Sequence, residues 1–323
     1  MIPEEVLRIA EGISTMKIRG AGRIARAAAR ALKIAAEEYR GTDVRSFFRY
    51  MGGVADLLKS TRPTAVSLPN AVNYVMIRLE RAEPETVEEA RKVVVKKAEE
   101  FIKYSLEAVE RIAEIGSHRL SDGDCVLTHC NSSAAIAIIV KAHEYGKRLK
   151  VYATETRPKF QGLITVRALA KAGVDVTLIP DSSVKLIIRR LDKVVVGADT
   201  VAANGAVVNK IGTSMIALAA KIADVDFYVA AETYKFSPAT VLGELVEIED
   251  RDPEEVVGRE FLERYPRIKV LNPAFDVTPP EYIDAIITEK GVISPQASFL
   301  VLKKEYGWAL ADHVIKATSD LEE

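Results

Sequence analysis

Two side chains in this 323-residue sequence stand where they could act on a substrate: the thiol of Cys130 and the carboxylate of Asp199. Cys130 directly precedes Asn131-Ser132-Ser133, which are good N-cap residues for an apolar helix predicted to start near Ala134. A helix start can lower the pKa of a thiol and favour the thiolate, a nucleophile or general base. On local sequence alone, a small apolar packing residue is an equally good interpretation of Cys130.

Asp199 ends the apolar run VVVGAD, which is typical of a buried strand. A carboxylate in this position lies at the rim of a sheet, where it can donate or accept a proton. A helix or turn cap is an equally good interpretation of the residue taken alone.

The segment after Asp199 suits an anion. A turn at Asn204-Gly205 is followed by Asn209-Lys210 and then by Gly212-Thr213-Ser214, which opens a predicted helix. Amides, a lysine and a helix start together can bind a phosphate. Singly, Lys210 would more often be a solvated surface charge and Asn209 a turn residue.

Three further segments are candidate phosphate contacts. The glycines of Arg19-Gly20-Ala21-Gly22 free the backbone at the start of an alanine-rich helix, although a plain interhelical turn is the commoner explanation. Arg62 precedes a proline that could fix its loop, and solvent exposure is its simpler interpretation. Lys235 follows the apolar run DFYVAAE, at the predicted carboxyl end of a sheet.

The remaining cysteine and the histidines carry no predicted chemistry. Cys125 lies within an apolar run and is expected to be a buried structural thiol, and its odd separation from Cys130 disfavours a disulfide and fits a reducing compartment. His129 is expected to point to the opposite face from Cys130. We predict no metal and no cofactor, because no zinc-site spacing joins the cysteines to His118, His129, His143 or His313.

The elements that must position these residues form two blocks. Residues 1–118 read as successive amphipathic helices, and residues 119–323 alternate short apolar runs with helical stretches. The runs are CVLTH, LKVYAT, DVTLIP, KVVVGA and DFYVAA. This pattern predicts an α/β protein: an N-terminal helical domain followed by a mostly parallel, doubly wound sheet.

Composition excludes several classes of protein. With 45 basic and 46 acidic side chains the net charge is -1, which argues against a nucleic-acid binder. The acidic start MIPEEVLRIAEG and the lack of an apolar run of roughly 18 residues predict neither a signal peptide nor a membrane partner, so we expect a cytoplasmic protein. The scarcity of glutamine, at Gln161 and Gln296 only, is typical of proteins from hot environments.

Read together, THCNSSAA, GADTVAANGAVVNKIGTS, RGAG and TRPT resemble the family that joins sugar-1-phosphate aldose-ketose isomerases to the alpha, beta and delta regulatory subunits of the eukaryotic initiation-factor 2B exchanger. The resemblance covers nearly the whole chain and implies a helical domain followed by a Rossmann-like catalytic domain. In the enzymes of the family a cysteine and an aspartate that match Cys130 and Asp199 are catalytic.

The motifs depart from those of the methylthioribose-1-phosphate isomerases, whose corresponding patterns are similar to CNTG, GADR and RGAPAIG. This chain has Cys130-Asn131-Ser132-Ser133, Asp199-Thr200 and Arg19-Gly20-Ala21-Gly22 instead, and looks like the archaeal ribose-1,5-bisphosphate isomerases of nucleoside monophosphate (AMP) breakdown. By resemblance, the substrate contacts are Arg19, Gly20, Ala21, Gly22, Arg62, Ser132, Ser133, Ala134, Asn209, Lys210 and Lys235.

The resulting hypothesis is an isomerase that makes ribulose 1,5-bisphosphate, with Asp199 as the acid that opens the ring and Cys130 as the base at C2. A catalytically silent regulatory subunit and a methylthioribose-1-phosphate isomerase remain as alternatives. The resemblance implies a homo-oligomer, a dimer or a hexamer. Neither the number of subunits nor activation by a nucleotide such as AMP is readable from the sequence.

Overall fold

The computed structural model describes residues 1–62 and 65–307, and the chain divides into two compact units, Met1–Ala108 and Val109–Glu323. The division falls within one long helix, α5 (Val87–Ser117). It therefore comes earlier in the chain than the boundary between residues 118 and 119 expected from the sequence, which lies just beyond the end of this helix.

The first unit is helical throughout its described residues, as predicted. Before α5 it contains α1 (Glu4–Ser14), α2 (Ala21–Glu38), α3 (Val44–Ser60) and α4 (Ser67–Arg81). Helix α2 turns Ile24, Ala28 and Leu32 inward, one helical turn apart, and packs against α1, α3 and α4. Its many alanines allow close approach of these neighbours, since they add little bulk to the buried face.

The second unit is built on strands. Within its described residues these are β1 (Cys125–Thr128), β2 (Lys150–Thr154), β3 (Asp175–Ile179), β4 (Lys193–Gly197), β5 (Thr200–Val201), β6 (Val207–Lys210), β7 (Asp226–Ala230), β8 (Phe275–Thr278), β9 (Ala285–Thr288) and β10 (Gly291–Ile293). The five predicted apolar runs are β1, β2, β3, β4 and β7, and all five predictions are confirmed.

Seven of these strands form one sheet in the order β10-β9-β7-β4-β1-β2-β3. Every neighbouring pair is parallel except β9 and β10. If the parallel strands are counted along the chain, their order is the 3-2-1-4-5-6 of a doubly wound Rossmann sheet. The predicted fold class is therefore confirmed.

Helices cover both faces of the large sheet. They are α6 (Ser133–Glu144), α7 (Gly162–Lys171), α8 (Val184–Ile187) and α9 (Thr213–Ala223), with a further helical stretch over 298–307. A short helix, α10 (Arg259–Arg264), buries none of its residues. The valines of β4 alternate between the two cores: Val195 packs with α6, whereas Val194 and Val196 pack with α9. Each buried valine contributes roughly 1.5–3 kcal/mol by leaving water.

A second, antiparallel sheet in the order β5-β6-β8 branches from the end of β4. It was not predicted, because the segment VVNK ends in polar residues and looks like part of a turn. Its effect is to hold Asn209 and Lys210 on a strand instead of a loop. No helix in the described part of the chain is long and apolar enough to cross a membrane.

The close approach of α7 to the end of β2 gives a first testable prediction. A Cβ atom at Gly162 would lie 1.8 Å from the carbonyl oxygen of Thr154, so Gly162→Ala must displace backbone. We expect it to lower the free energy of unfolding by about 1–3 kcal/mol or more, measured by urea denaturation. Gly258 has φ −65° and open space around it, so Gly258→Ala should change stability by no more than about 0.5 kcal/mol. Equal midpoints for the two variants would contradict this packing.

Candidate active site

Cys130 and Asp199 follow two neighbouring parallel strands, β1 and β4. The chain leaves β1 through α6, which packs on one face of the sheet, and after β4 it reaches α9, which packs on the other. Strands whose connections diverge in this way leave a crevice beyond their carboxyl ends, where ligands bind in open α/β sheets. The fold therefore brings the predicted acid–base pair to this crevice.

The backbone of Cys130 is held in an unusual conformation. Its φ of +67° lies in the left-handed region, which a non-glycine residue adopts at a cost of about 1–3 kcal/mol. The Cys130 N–H donates to Thr156 Oγ1 at 2.9 Å, and its carbonyl oxygen accepts from Thr165 Oγ1 at 2.6 Å. Two threonine hydroxyl groups therefore hold the backbone of Cys130 in this conformation.

The start of α6 next to Cys130 is formed as the sequence predicted. Ser132 is the N-cap, and its hydroxyl accepts from the Ala135 amide at 3.2 Å. The amides of Ser133 and Ala134 have no acceptor among the described residues, so they are available to an anion. A Cβ atom at Gly197 would lie 2.4 Å from Ser132 Oγ, which means that the end of β4 packs directly against this cap.

Burial raises the pKa of the Cys130 thiol to about 11. The Lys210 ammonium acts in the opposite direction and the Asp199 carboxylate raises the pKa further, so both charges lie within electrostatic range of the sulfur. The pKa of this thiol is therefore raised, not lowered as a helix start could have made it. Desolvation outweighs the Lys210 charge and the Asn131 amide, which both lower the pKa, so the thiol form of Cys130 prevails at neutral pH.

Asp199 is half-buried, and its backbone N–H donates to the Val208 carbonyl at 2.9 Å. This bond ties the end of β4 to β6. The Asp199 carboxylate accepts no hydrogen bond from the described residues, so both of its oxygens are free for a substrate.

Lys210 is a buried lysine whose ammonium group has a carbonyl oxygen and an aromatic ring as neighbours. Its Nζ donates to the Ala274 carbonyl at 2.9 Å and lies 4.6 Å from the centre of the Phe275 ring. Within residues 1–62 and 65–307 no carboxylate lies at ion-pair distance from it. Since a buried charge without a counter-ion is costly, this ammonium is well suited to a phosphate. The neighbouring Asn209 donates from Nδ2 to Thr213 Oγ1 at 3.0 Å.

The predicted anion site at the start of α9 is filled by the chain itself. The carboxylate of Asp276, on β8, accepts from the Gly212 amide at 2.7 Å and from the Ser214 amide at 3.1 Å. Burial raises the pKa of Asp276 to about 6. This corrects the prediction that Gly212-Thr213-Ser214 would be open to a ligand.

Lys235 lies just past β7, at the carboxyl end of the sheet, as expected. Its ammonium is not free, because it forms a buried ion pair with Glu232 at 2.7 Å. Burial alone would raise the pKa of Glu232, but the Lys235 charge and the Tyr234 hydroxyl, which donates to this carboxylate, hold it below its usual range. A phosphate would have to share Lys235 with Glu232.

The N-terminal candidates lie in the first unit. Gly20, with φ +92°, is the N-cap of α2, and no side chain caps this helix start. Arg19 is exposed, and Ala21 and Gly22 form the first turn. Arg62 is half-buried after α3. Two residues of the TRPT motif, Pro63 and Thr64, and also His313, fall outside the described residues.

Sequence reasoning missed three residues that support the site: His129, Thr156 and Asp276. The His129 ring is buried between β2 and the segment that follows β6. A polar residue directly beside Cys130 was the signal for His129, whereas no local pattern marks Asp276.

Cys125 also differs from expectation, since it begins β1 and is half-buried. Both cysteines are free thiols.

A model of the Initiation factor 2 subunit family matches residues 17–295 of the chain. The chain belongs to this family. Two similar curated relatives are named ribose 1,5-bisphosphate isomerase. The one from Thermococcus kodakarensis is 52% identical, over 96% of this chain and 97% of its own length. The one from Archaeoglobus fulgidus is 55% identical, over 95% of each.

Two proteins with other names are less similar to this chain. A methylthioribose-1-phosphate isomerase from Desulforamulus reducens is 38% identical over 89% of this chain and 86% of its own. The solved structure of a Pyrococcus horikoshii translation initiation factor eIF-2B is 32% identical, with a TM-score of 0.78 over 92% of this chain and 99% of that one. The relatives above 50% identity named here are isomerases, and the chain is an enzyme of this class.

The charges around Cys130 give a second prediction. In a Cys125→Ser background, which removes the other thiol, Asp199→Asn should lower the pKa of Cys130 and Lys210→Met should raise it. The measurement is the rate of iodoacetamide alkylation as a function of pH. Shifts of the same sign in the two variants would show that these charges do not act on the thiol.

Proposed function

We propose that the chain converts ribose 1,5-bisphosphate to ribulose 1,5-bisphosphate. The observation that carries the proposal is the set of Cys130, Asp199 and Lys210: a thiol and a carboxylate at the carboxyl ends of adjacent strands, with a buried ammonium that has no carboxylate partner in the described residues. Acid–base isomerisation of a sugar phosphate needs these three groups.

The choice of substrate rests on similarity and on the motifs. The two relatives described above, both more than 50% identical, carry this activity in their names, whereas the methylthioribose-1-phosphate isomerase is 38% identical. Cys130-Asn131-Ser132-Ser133 also departs from the CNTG pattern of that second group. We further propose that the reaction serves the breakdown of nucleoside monophosphates such as AMP, as the sequence analysis suggested.

The reaction balances with two proton-carrying groups. Asp199 gives a proton to the ring oxygen as the bond from C1 to that oxygen breaks, and the oxygen becomes the 4-hydroxyl. Cys130, as thiolate, takes the proton from C2 and an enol phosphate forms. The thiol then returns a proton to C1 while the Asp199 carboxylate takes the proton of the 2-hydroxyl, so the ketone forms and both groups regain their starting states.

The resting thiol of Cys130 must first become a thiolate. Transfer of its proton to Asp199 would create the base and the acid in one step. This transfer neutralises the Asp199 carboxylate, whose charge is one of the causes that raise the pKa of the thiol, although burial, the largest cause, still opposes the thiolate. Lys210 also favours the thiolate, since its charge acts on the same sulfur.

Binding of a phosphate has support near the thiol. The amides of Ser133 and Ala134, at the start of α6, and the ammonium of Lys210 can each hold a phosphate oxygen. Asn209 lies beside Lys210 on β6. The other proposed contacts, which rest on the family resemblance, are Arg19, Gly20, Ala21, Gly22, Arg62, Ser132 and Lys235.

The substrate is tested by offering the purified protein ribose 1,5-bisphosphate, methylthioribose 1-phosphate and ribose 5-phosphate in deuterated water, with NMR detection of the ketose. We expect turnover of ribose 1,5-bisphosphate, with deuterium at C1 of the product to the extent that the Cys130 thiol exchanges its proton with solvent before it returns one to C1. Preference for methylthioribose 1-phosphate would reassign the substrate. No turnover of any of the three would favour a regulatory subunit.

The roles of the two reacting groups are tested by Cys130→Ser and Asp199→Asn. Each should lower kcat by roughly 10²–10⁴-fold or more while the affinity for ribose 1,5-bisphosphate, measured by calorimetry, changes little. Cys125→Ser is the matched control and should keep near-native turnover, since this thiol lies at the opposite end of β1. Near-native kcat in either of the first two variants would refute the assignment.

A further inference from the structure

His129 is a fully enclosed polar residue for which the proposed reaction has no task. Its side chain is 1% exposed, and it comes directly before Cys130 in the chain. Its Nε2 lies 2.9 Å from the Ile211 carbonyl oxygen and its Nδ1 lies 2.6 Å from Thr154 Oγ1. The imidazole therefore connects the ends of three elements: β1, β2 and the segment after β6.

The partners determine which nitrogen carries the proton. A carbonyl oxygen can only accept, so Nε2 is protonated and donates to Ile211. Burial lowers the pKa of His129, which keeps the ring neutral, and Nδ1 is then an acceptor for the Thr154 hydroxyl. The charged groups that act on the ring are Asp181, which favours its protonation, and Lys210, which opposes it.

The network continues to the backbone of Cys130. Having donated to His129, the Thr154 hydroxyl can accept from Thr156 Oγ1 at 3.3 Å. Thr156 Oγ1 in turn accepts from the Cys130 N–H at 2.9 Å. On the other side, Ile211 directly follows Lys210, and the ring packs against Gly212, where a Cβ atom would lie 3.3 Å from its Cε1.

We propose that His129 is a positioning residue that holds the Lys210 end of β6 against the thiol of Cys130. The bond to Ile211 fixes the segment that carries the ammonium, and the bond to Thr154 fixes the loop that supports the Cys130 peptide. Both ring nitrogens are occupied by these two bonds and the side chain is buried, so the role is to keep the two groups at a set separation. This inference rests on the proposed function only through the kinetic part of its test.

Two substitutions at His129 test its two hydrogen bonds separately. Glutamine places its amide nitrogen near the position of Nε2, and asparagine places its amide oxygen near the position of Nδ1. His129→Gln keeps the donor to Ile211, and His129→Asn keeps the acceptor for Thr154 but loses Ile211. We expect kcat for ribose 1,5-bisphosphate to fall about tenfold or more in His129→Asn and by less in His129→Gln. His143→Asn, on α6 away from the network, is the matched control and should leave kcat unchanged.

The second readout needs no substrate. In the Cys125→Ser background, Lys210→Met is added to the wild-type, Gln and Asn versions of residue 129, and the pKa of Cys130 is measured by alkylation. The shift caused by Lys210→Met should be retained with glutamine and reduced with asparagine, as a double-mutant cycle detects. The proposal would be overturned if Lys210→Met shifted the pKa of Cys130 equally with histidine, glutamine and asparagine at residue 129. It would also be overturned if His129→Gln and His129→Asn lowered kcat equally and in proportion to their loss of thermal stability. If the wild type fails to turn over the bisphosphate, the proposed function fails while this cycle still decides the inference.

Discussion

The parallel pairing of β1 with β4 is the constraint on which the site depends. These strands are neighbours in the sheet although three helices and two strands separate them in the chain, and their connections depart to opposite faces. Backbone hydrogen bonds between them thus set the separation of the residues that follow, Cys130 and Asp199. The valines of β4 reinforce the pairing because they are buried on both faces of the sheet.

Around this pair the structure distributes charge unevenly. The start of α9 receives a carboxylate from Asp276, and Lys235 is paired with Glu232, so these groups are largely satisfied within the chain. The start of α6 and the ammonium of Lys210 have no such partner among the described residues. Unsatisfied groups close to a reacting centre are where binding energy for an anionic substrate is available.

The large sheet was readable from sequence, and the details of the site were not. Apolar runs such as KVVVGA and DFYVAA predicted strands because buried parallel strands need β-branched and aromatic side chains on both faces. The strand β6 has a short, partly polar sequence, so its pairing with β8 carries no local signal. Asp276 is 64 residues from Gly212, and the ionisation of Cys130 depends on neighbours from several elements. Such distant relations exist only in the folded chain.

The high pKa of the Cys130 thiol also has a consequence for the lifetime of the protein. Oxidants and electrophiles attack thiolates much faster than thiols. With a pKa of about 11, on the order of one chain in ten thousand carries a thiolate at pH 7. A protonated thiol is therefore protected from oxidation to a sulfenic or sulfinic acid, and under the proposed mechanism its reactive form arises only when Cys130 gives up its proton. Under the proposed mechanism, the same sulfur resists chemical damage while it is protonated and can accept a proton from a substrate once it is a thiolate.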